Sequence, residues 1–285
     1  MGCPLGGKEA YRQKFVVNGY SIMNCTECQH AFTDITLKPQ EIKEIYSDRY
    51  FYGGKYGYPD YTLEKDILIR RGEKYAKLLS RHLQPGLLLD VGAAAGFIMK
   101  GFENAGWRTM GIEPNEHMAV YGRENLHMDI RTGTLEEASF AQSFDLVLLI
   151  QVIAHLFDLG KSMKHVSEKV KEGGYVLVET WNKNSLSARL LGQYWHEYSP
   201  PSTLNFFSKK SLDLLMGHYG FRLISRGRPG KKILGEHARS LLRYKFESSK
   251  SLKWLKGLER IIPQKARIPY PSEDLFYAIY QKNTK

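Results

Sequence analysis

Leu87-Leu88-Leu89-Asp90-Val91-Gly92-Ala93-Ala94-Ala95-Gly96-Phe97 runs from a short apolar segment, through two glycines, into a second apolar pattern with helical spacing. Five residues that are apolar except for the fourth suit a strand covered on both faces. A glycine turn straight into a helix is how a parallel strand hands over to its crossover. Outward from this point, strands are expected at 87–91, 107–113, 128–133, 144–150, 174–181, 221–227 and 275–281. Helices are expected at about 96–105, 115–124, 159–171 and 208–219. The alternation predicts an α/β fold: a doubly wound, seven-stranded, mostly parallel sheet.

Around that core the chain divides into four stretches. Residues 1–35 hold all three cysteines and read as a small irregular module, and 36–84 read as a helical lid rich in tyrosine (Tyr46, Tyr50, Tyr52, Tyr56, Tyr58 and Tyr61). Residues 85–228 form the core, beginning after Pro85-Gly86, and 229–285 form a basic helical insertion followed by the final strand. The 182–207 stretch is too long for a plain connection, and such loops are usually functional.

Asp90 and the turn after it stand where ligands bind in doubly wound sheets, at the carboxyl ends of the strands. Glu113 ends the next strand about twenty residues on, where an acid accepts hydrogen bonds from the ribose hydroxyls of an adenosine-containing cofactor. A dinucleotide fingerprint needs three glycines spaced G-x-G-x-x-G. Here Gly92 and Gly96 enclose three alanines, so that pattern is missed. Asp90 would repel a pyrophosphate and suits an ammonium group, which favours S-adenosylmethionine over a nicotinamide dinucleotide.

On these residues, 87–181 resembles the class I S-adenosylmethionine-dependent methyltransferases, in their small-molecule and glycan-modifying branch with an N-terminal C-x-x-C module. The first family motif appears as Asp90 to Gly96 with Ala94 for the middle glycine, and the second as Glu113-Pro114. Gly133-Thr134-Leu135-Glu136 matches the segment framing the adenine, and 144–155 (FDLVLLIQVIAH) the motif that ends in His155. The segment from Trp195 to Phe221 resembles a further family segment, as do Cys25 and Cys28 followed by Tyr46 and Tyr50-Phe51. The resemblance implies a Rossmann-like methyltransferase fold that binds S-adenosylmethionine through Tyr50, Asp90, Gly92, Ala94, Gly96, Glu113, Pro114, Thr134, Leu135 and Gln151. Gln151, Ala154 and Thr203 depart from the family pattern, at the positions of a His, a Glu and a His.

For catalysis, His155, His196 and Tyr198 are the candidates as acceptor contacts or general base. Cys3, Cys25 and Cys28 are candidate zinc ligands, with His30 the nearby substitute for a fourth, although a knuckle without metal is the favoured reading. The net charge of +11 is concentrated at 226–267, where thirteen Lys or Arg face three Glu. A basic amphipathic helix is expected at 251–262 (SLKWLKGLERII), a pattern suited to an anionic membrane surface or to packing on the core. Together these features predict an enzyme that methylates a sugar, glycolipid or other small metabolite, on oxygen. The alternatives are an RNA methyltransferase that uses the basic segment, or a cofactor-binding relic without activity. Few cysteines, no long apolar run and no signal-peptide pattern make the cytoplasm the expected compartment, with the membrane surface as a peripheral site.

Overall fold

In the computed structural model, alternation along the buried strands sends successive side chains to opposite faces of one sheet, and each face recruits its own helices. The structure describes residues 3–5, 10–38, 41, 44–45, 47, 51, 60–230, 232–248, 256–269 and 272–284. The chain opens with β1 (Tyr11–Val17), β2 (Tyr20–Cys25) and β3 (Ala31–Thr33), then α1 (Lys65–Leu79). The core follows as β4 (Leu87–Val91), α2 (Phe97–Asn104), β5 (Arg108–Glu113), α3 (Glu116–Leu126), β6 (Ile130–Thr132), β7 (Phe144–Ile150), α4 (Leu159–Lys169) and β8 (Val170–Trp181). The remainder is α5 (Leu186–Leu191), β9 (Asn205–Phe206), α6 (Lys209–His218), β10 (Phe221–Gly227), β11 (Lys232–Leu234), α7 (Gly235–Ser248), β12 (Arg267–Pro269) and β13 (Leu275–Lys282).

Seven strands lie in the order β10-β13-β8-β7-β4-β5-β6, with β13 antiparallel to both neighbours and the pairings from β8 to β6 all parallel. This is the expected doubly wound sheet. Leu88, Leu146, Leu148 and Leu177 face α1, α2 and α3, while Leu89, Val147, Leu149 and Val178 face α4 and α6. Helix starts are satisfied by side chains as their sequences suggest: Asn115 accepts from Met118 N, Asp158 from Lys161 N, and Ser208 and Ser211 form a reciprocal capping box.

Two expectations are corrected. The N-terminal module is not irregular: β1 and β2 form a hairpin closed by Asn18 (φ 51°) and Gly19 (φ 83°), and β3 pairs with β9 from the 182–207 stretch. Asn-Gly is the pair that a two-residue hairpin turn with positive φ favours. The amphipathic helix at 251–262 does not run through, because Gly257 takes φ 102° and starts a short 3-10 turn at Leu258–Ile261. Leu252, Lys253 and Leu255 lie outside the described residues, as do the lid tyrosines Tyr46, Tyr50, Tyr52, Tyr56 and Tyr58. Tyr61 is described: it stacks on Phe97 at 5.5 Å and lines the cavity at the ends of the strands.

One helix crossing positions the site. Gly72 of α1 meets Gly101 of α2: a Cβ on Gly101 would come 2.8 Å from Gly72 Cα and closer still to the Ile69 carbonyl oxygen. Both neighbours are backbone and neither can swing aside. Gly101→Ala is therefore expected to destabilise the fold by about 1–3 kcal/mol through overpacking, read as a lower chemical-denaturation midpoint, whereas an alanine at Gly217, where no atom lies within 4 Å, leaves the midpoint nearly unchanged.

Candidate active site

The carboxyl ends of β4, β5, β7 and β8 open into a cavity of about 1130 Å³. Asp90, Gly92, Ala94, Glu113, Pro114, Thr134, Leu135 and Gln151 all line it. Gly96 does not line it. With φ 77° it caps α2, and a Cβ there would come within 3.0 Å of Ile130 and Met128, so its part is to let the turn close against β6.

The turn after β4 alternates left-handed positions at Gly92 (φ 69°), Ala94 (φ 47°) and Gly96. Gly92 needs its freedom twice over, since a Cβ would also fall 2.5 Å from Val152 Cγ2. Ala94 adopts the same region at a steric cost, and its amide donates to Glu113 Oε2 at 2.8 Å. The other carboxylate oxygen, Oε1, accepts from Asn115 N at 2.8 Å. Burial pushes the Glu113 carboxyl up to about 7, with these two amides pulling the other way. Asp90 is raised to about 8, first by burial and second by the charge of Glu113. The site thus holds two carboxyl groups whose ionisation burial opposes, and which a ligand that compensates their charge would favour.

A third buried carboxylate is compensated by the protein itself. Glu179, fully buried near the end of β8, pairs with Arg71 of α1, accepts from the Tyr75 hydroxyl, and accepts from Gln151 Nε2 at 2.7 Å. Gln151 takes φ 58° just past β7, and its amide also donates to the Glu179 carbonyl at 2.8 Å. Arg71 and Gln151 both line the cavity. Neither Arg71 nor Glu179 belongs to a motif; the only sequence signal is the i, i+4 spacing of Arg71 and Tyr75 on one helix face.

The cavity is also lined by Trp181 at the end of β8 and by residues of the 182–207 stretch, Trp195, His196 and Tyr198 among them. His155 contacts the Ser202 carbonyl oxygen through Nδ1 at 2.6 Å, and burial pushes its pKa down, so it stays neutral at physiological pH. Nδ1 is then the donor, because a carbonyl only accepts. His196 sits edge-on to Trp181 (4.6 Å) and Trp195 (5.6 Å), with Glu197 and Asp274 at 3.6 and 3.7 Å. Burial raises the Tyr198 hydroxyl to about 12, which keeps it protonated and removes it as a general base. The hairpin braces this stretch: Asn18 Nδ2 donates to the Pro200 carbonyl at 3.0 Å and Thr33 Oγ1 to the Thr203 carbonyl at 3.0 Å. His237 of α7, which sequence reasoning passed over, also reaches the cavity, with Ile233.

Cys3, Cys25 and Cys28 converge away from this cavity, their sulfurs all within 4.8 Å of one another. They offer three of the four ligands of a structural zinc site. Among the described residues no fourth Cys, His or carboxylate joins them: His30 contacts Asn205 Oδ1 through Nε2 at 3.2 Å instead.

A methyltransferase-domain family matches residues 67–226, more than half of the chain. Over 169 residues the chain is 31% identical to a ubiquinone biosynthesis O-methyltransferase of Bradyrhizobium sp. (strain ORS 278), covering 53% of this chain and 66% of that one. It is 28% identical over 171 residues to the protein of the same name from Azorhizobium caulinodans, covering 56% and 67%. The chain thus spans about two thirds of the length of these relatives. Among solved structures, an S-adenosylmethionine-dependent methyltransferase from Methanosarcina mazei shares the fold, with a TM-score of 0.50 at 15% identity over 73% of this chain and 98% of that one.

The raised carboxyls carry a stability signature. A carboxyl whose folded pKa lies above its unfolded value near 4 stabilises most below pH 4, and the contribution is lost as pH climbs through the folded pKa. For Asp90 the loss spans about pH 4 to 8. Ligand-free Asp90→Asn is therefore expected to melt above the wild type at pH 8, and the gap should shrink on titration to pH 5 in a thermal-shift series.

Proposed function

This chain belongs to the S-adenosylmethionine-dependent methyltransferases, and from that premise we propose that it methylates a hydroxyl oxygen on a small, ring-bearing acceptor. S-adenosylmethionine supplies a methyl group already activated by a positively charged sulfur. The observation that carries the reading is a single cavity lined both by two buried carboxyls, Asp90 and Glu113, and by the indoles of Trp181 and Trp195.

At the cofactor end, Glu113 is assigned to the ribose hydroxyls and Asp90 to the methionyl ammonium, whose charge would offset the cost of ionising a buried acid. Gly92 and Ala94 let the backbone approach closely; Pro114, Thr134 and Leu135 are assigned to the adenosine, Gln151 to the methionyl end, and Gly96 to the shape of the turn. Arg71 reaches the cavity while holding Glu179, and with five donors its guanidinium can serve a carboxylate on each side. Tyr50 remains a proposed contact outside the described residues. The wall supplied by the 182–207 stretch, braced by the 1–35 module, is assigned to the acceptor, with His155, His196 and Tyr198 as its polar contacts. On this division 36–84 and 229–285 close the remaining sides of the 85–228 core. Aligning acceptor and methyl in such an enclosure can contribute roughly 7–11 kcal/mol to the rate.

One observation supports a small acceptor over a nucleic acid. Several basic residues of the 226–267 segment are engaged internally: Arg226 with Asp213, Arg239 with the carbonyls of Arg260 and Ile262, Arg243 with Glu259, and Arg267 with Asp66. The relatives' names favour oxygen as the methylated atom. A sugar, a lipid-linked ring and an aromatic ring all suit tryptophan faces, and a lipid-linked acceptor would bring the protein to a membrane surface; among the described residues no helix is long and apolar enough to cross one. The three-thiol cluster is assigned a packing role, with zinc as the alternative that metal analysis of the purified protein decides.

Glu113→Ala removes two charge-assisted contacts worth about 1.5–3 kcal/mol each. Calorimetric titration should show S-adenosylmethionine binding weakened by about 10²–10⁴-fold; unchanged affinity would place the cofactor elsewhere in the molecule.

A further inference from the structure

A primary amide offers an acceptor at one end and two donors at the other, and which end meets a ligand depends on what holds it. Gln151 lines the cavity, so the orientation of its amide matters to whatever binds there. Its Nε2 donates to Glu179 Oε1 at 2.7 Å, and its backbone amide donates to the Glu179 carbonyl at 2.8 Å. Glu179 is fully buried and pairs with the Arg71 guanidinium as a carboxylate, and a carboxylate only accepts. The Tyr75 hydroxyl donates to its second oxygen, Oε2. Glu179 thus fixes which end of the amide faces it, and the carbonyl oxygen of Gln151 is the end that remains for a ligand.

We propose that Glu179 is a positioning residue for the cofactor, turning the Gln151 carbonyl oxygen toward the methionyl ammonium beside Asp90, an inference that rests on the assignment of Asp90 to that ammonium above. The sheet places the two residues side by side. β7 pairs with β4 in parallel register, with Leu148 opposite Asp90, and Gln151 directly follows the last residue of β7. A Cβ on Gly92, two residues past Asp90, would come 2.5 Å from Cγ2 of Val152, the residue after Gln151. The two turns are therefore in contact, and Asp90, Gly92, Gln151 and Val152 all line the cavity.

An ammonium group carries three donors. The Asp90 carboxylate meets its charge, and an uncharged amide oxygen accepts a second donor without adding another buried acid. An amide nitrogen in the same place would oppose the cation. Gln151 also holds a left-handed backbone (φ 58°), a region that a residue with a β-carbon enters at a steric cost. Such a conformation persists where surrounding contacts impose it, and here those contacts are the two bonds to Glu179. The pair lies 28 positions apart, so no local motif announces it.

The test is calorimetric and needs no acceptor. Full-length wild type, Gln151→Met and Glu179→Gln are each titrated with S-adenosylhomocysteine and with two compounds cut down from it. Carboxypropyl-thioadenosine is the same molecule without its ammonium, and methylthioadenosine lacks the whole amino-acid end. A hydrogen bond to a charged group is worth about 10–100-fold in affinity, so Gln151→Met should lose that on S-adenosylhomocysteine and less than about threefold on the other two. Glu179→Gln presents a donor as well as an acceptor and no longer holds the amide one way round. It should lose about 3–30-fold, again on S-adenosylhomocysteine alone. Because Gln151→Met leaves Glu179 paired with Arg71, it tests the contact even where Glu179→Gln folds poorly. Equal losses on all three ligands, or unchanged affinity for S-adenosylhomocysteine in Gln151→Met, would overturn the proposal. Asp90→Asn is titrated alongside to separate the two assignments. A selective loss in Asp90→Asn with none in Gln151→Met sinks the role of Glu179 alone. If Asp90→Asn also binds S-adenosylhomocysteine as the wild type does, the ammonium lies elsewhere and both assignments fall.

Discussion

Asp90 and Glu113 end neighbouring parallel strands, each almost wholly removed from water, and the charge of Glu113 adds to the cost of ionising Asp90. A fold does not keep two such groups together for stability; removing a carboxylate from water costs several kcal/mol unless something pairs with it. The surrounding backbone is shaped to hold them there. The turn between β4 and α2 uses three left-handed residues in five, and its middle one, Ala94, is held by a hydrogen bond to Glu113. Opposite it, Gly111 must be small, because a Cβ would come 2.7 Å from Met99 Sδ and 2.8 Å from Ala93 Cβ. Strand register, turn conformation and acid position are one constraint. On the proposed assignment of Asp90 and Glu113, a cationic, hydroxyl-bearing ligand would relieve it.

Glu179 shows the contrasting solution. Its carboxylate is as deeply buried, yet Arg71, Tyr75 and Gln151 all direct hydrogen to it. Because α1 approaches α2 at the contact of Gly72 with Gly101, the residue next to Gly72 is delivered to the cavity. The pair therefore joins the helix before the core to the ends of β7 and β8. One site thus contains a carboxylate paired with a guanidinium that organises the walls and, in Asp90 and Glu113, two whose ionisation burial opposes.

The seven strands and the cofactor turn were legible because short apolar runs, two glycines and a following acid are local signals read within one crossover unit. Asn18-Gly19 is an equally local signal, a hairpin turn between two short strands. Arg71 with Glu179, and Glu64 with His237, could not be read at all: their partners are 108 and 173 positions apart, and only the docking of a helix or an insertion brings them together. The amphipathic pattern at 251–262 misled because periodicity ignores a single glycine at φ 102°. The acceptor wall was half legible, since the excess length of 182–207 marked it as functional without saying that β9 would complete the N-terminal sheet.

The three departures from the family pattern read in sequence as losses, and their surroundings argue otherwise. Gln151 bonds Glu179 through side chain and backbone. Ala154 is buried and its carbonyl accepts from Leu204 N at 2.9 Å, tying the turn after β7 to the acceptor wall. Thr203 is buried, with its hydroxyl 3.0 Å from Ser199 Oγ and its carbonyl on Thr33. Each replacement is integrated into the architecture that shapes the cavity, as a degenerating site would not require. A relic would also have no reason to retain two buried acids whose ionisation costs the empty fold stability across the neutral pH range. Their persistence beside a formed chamber is more simply explained by a ligand that binds them and a reaction that the chamber encloses.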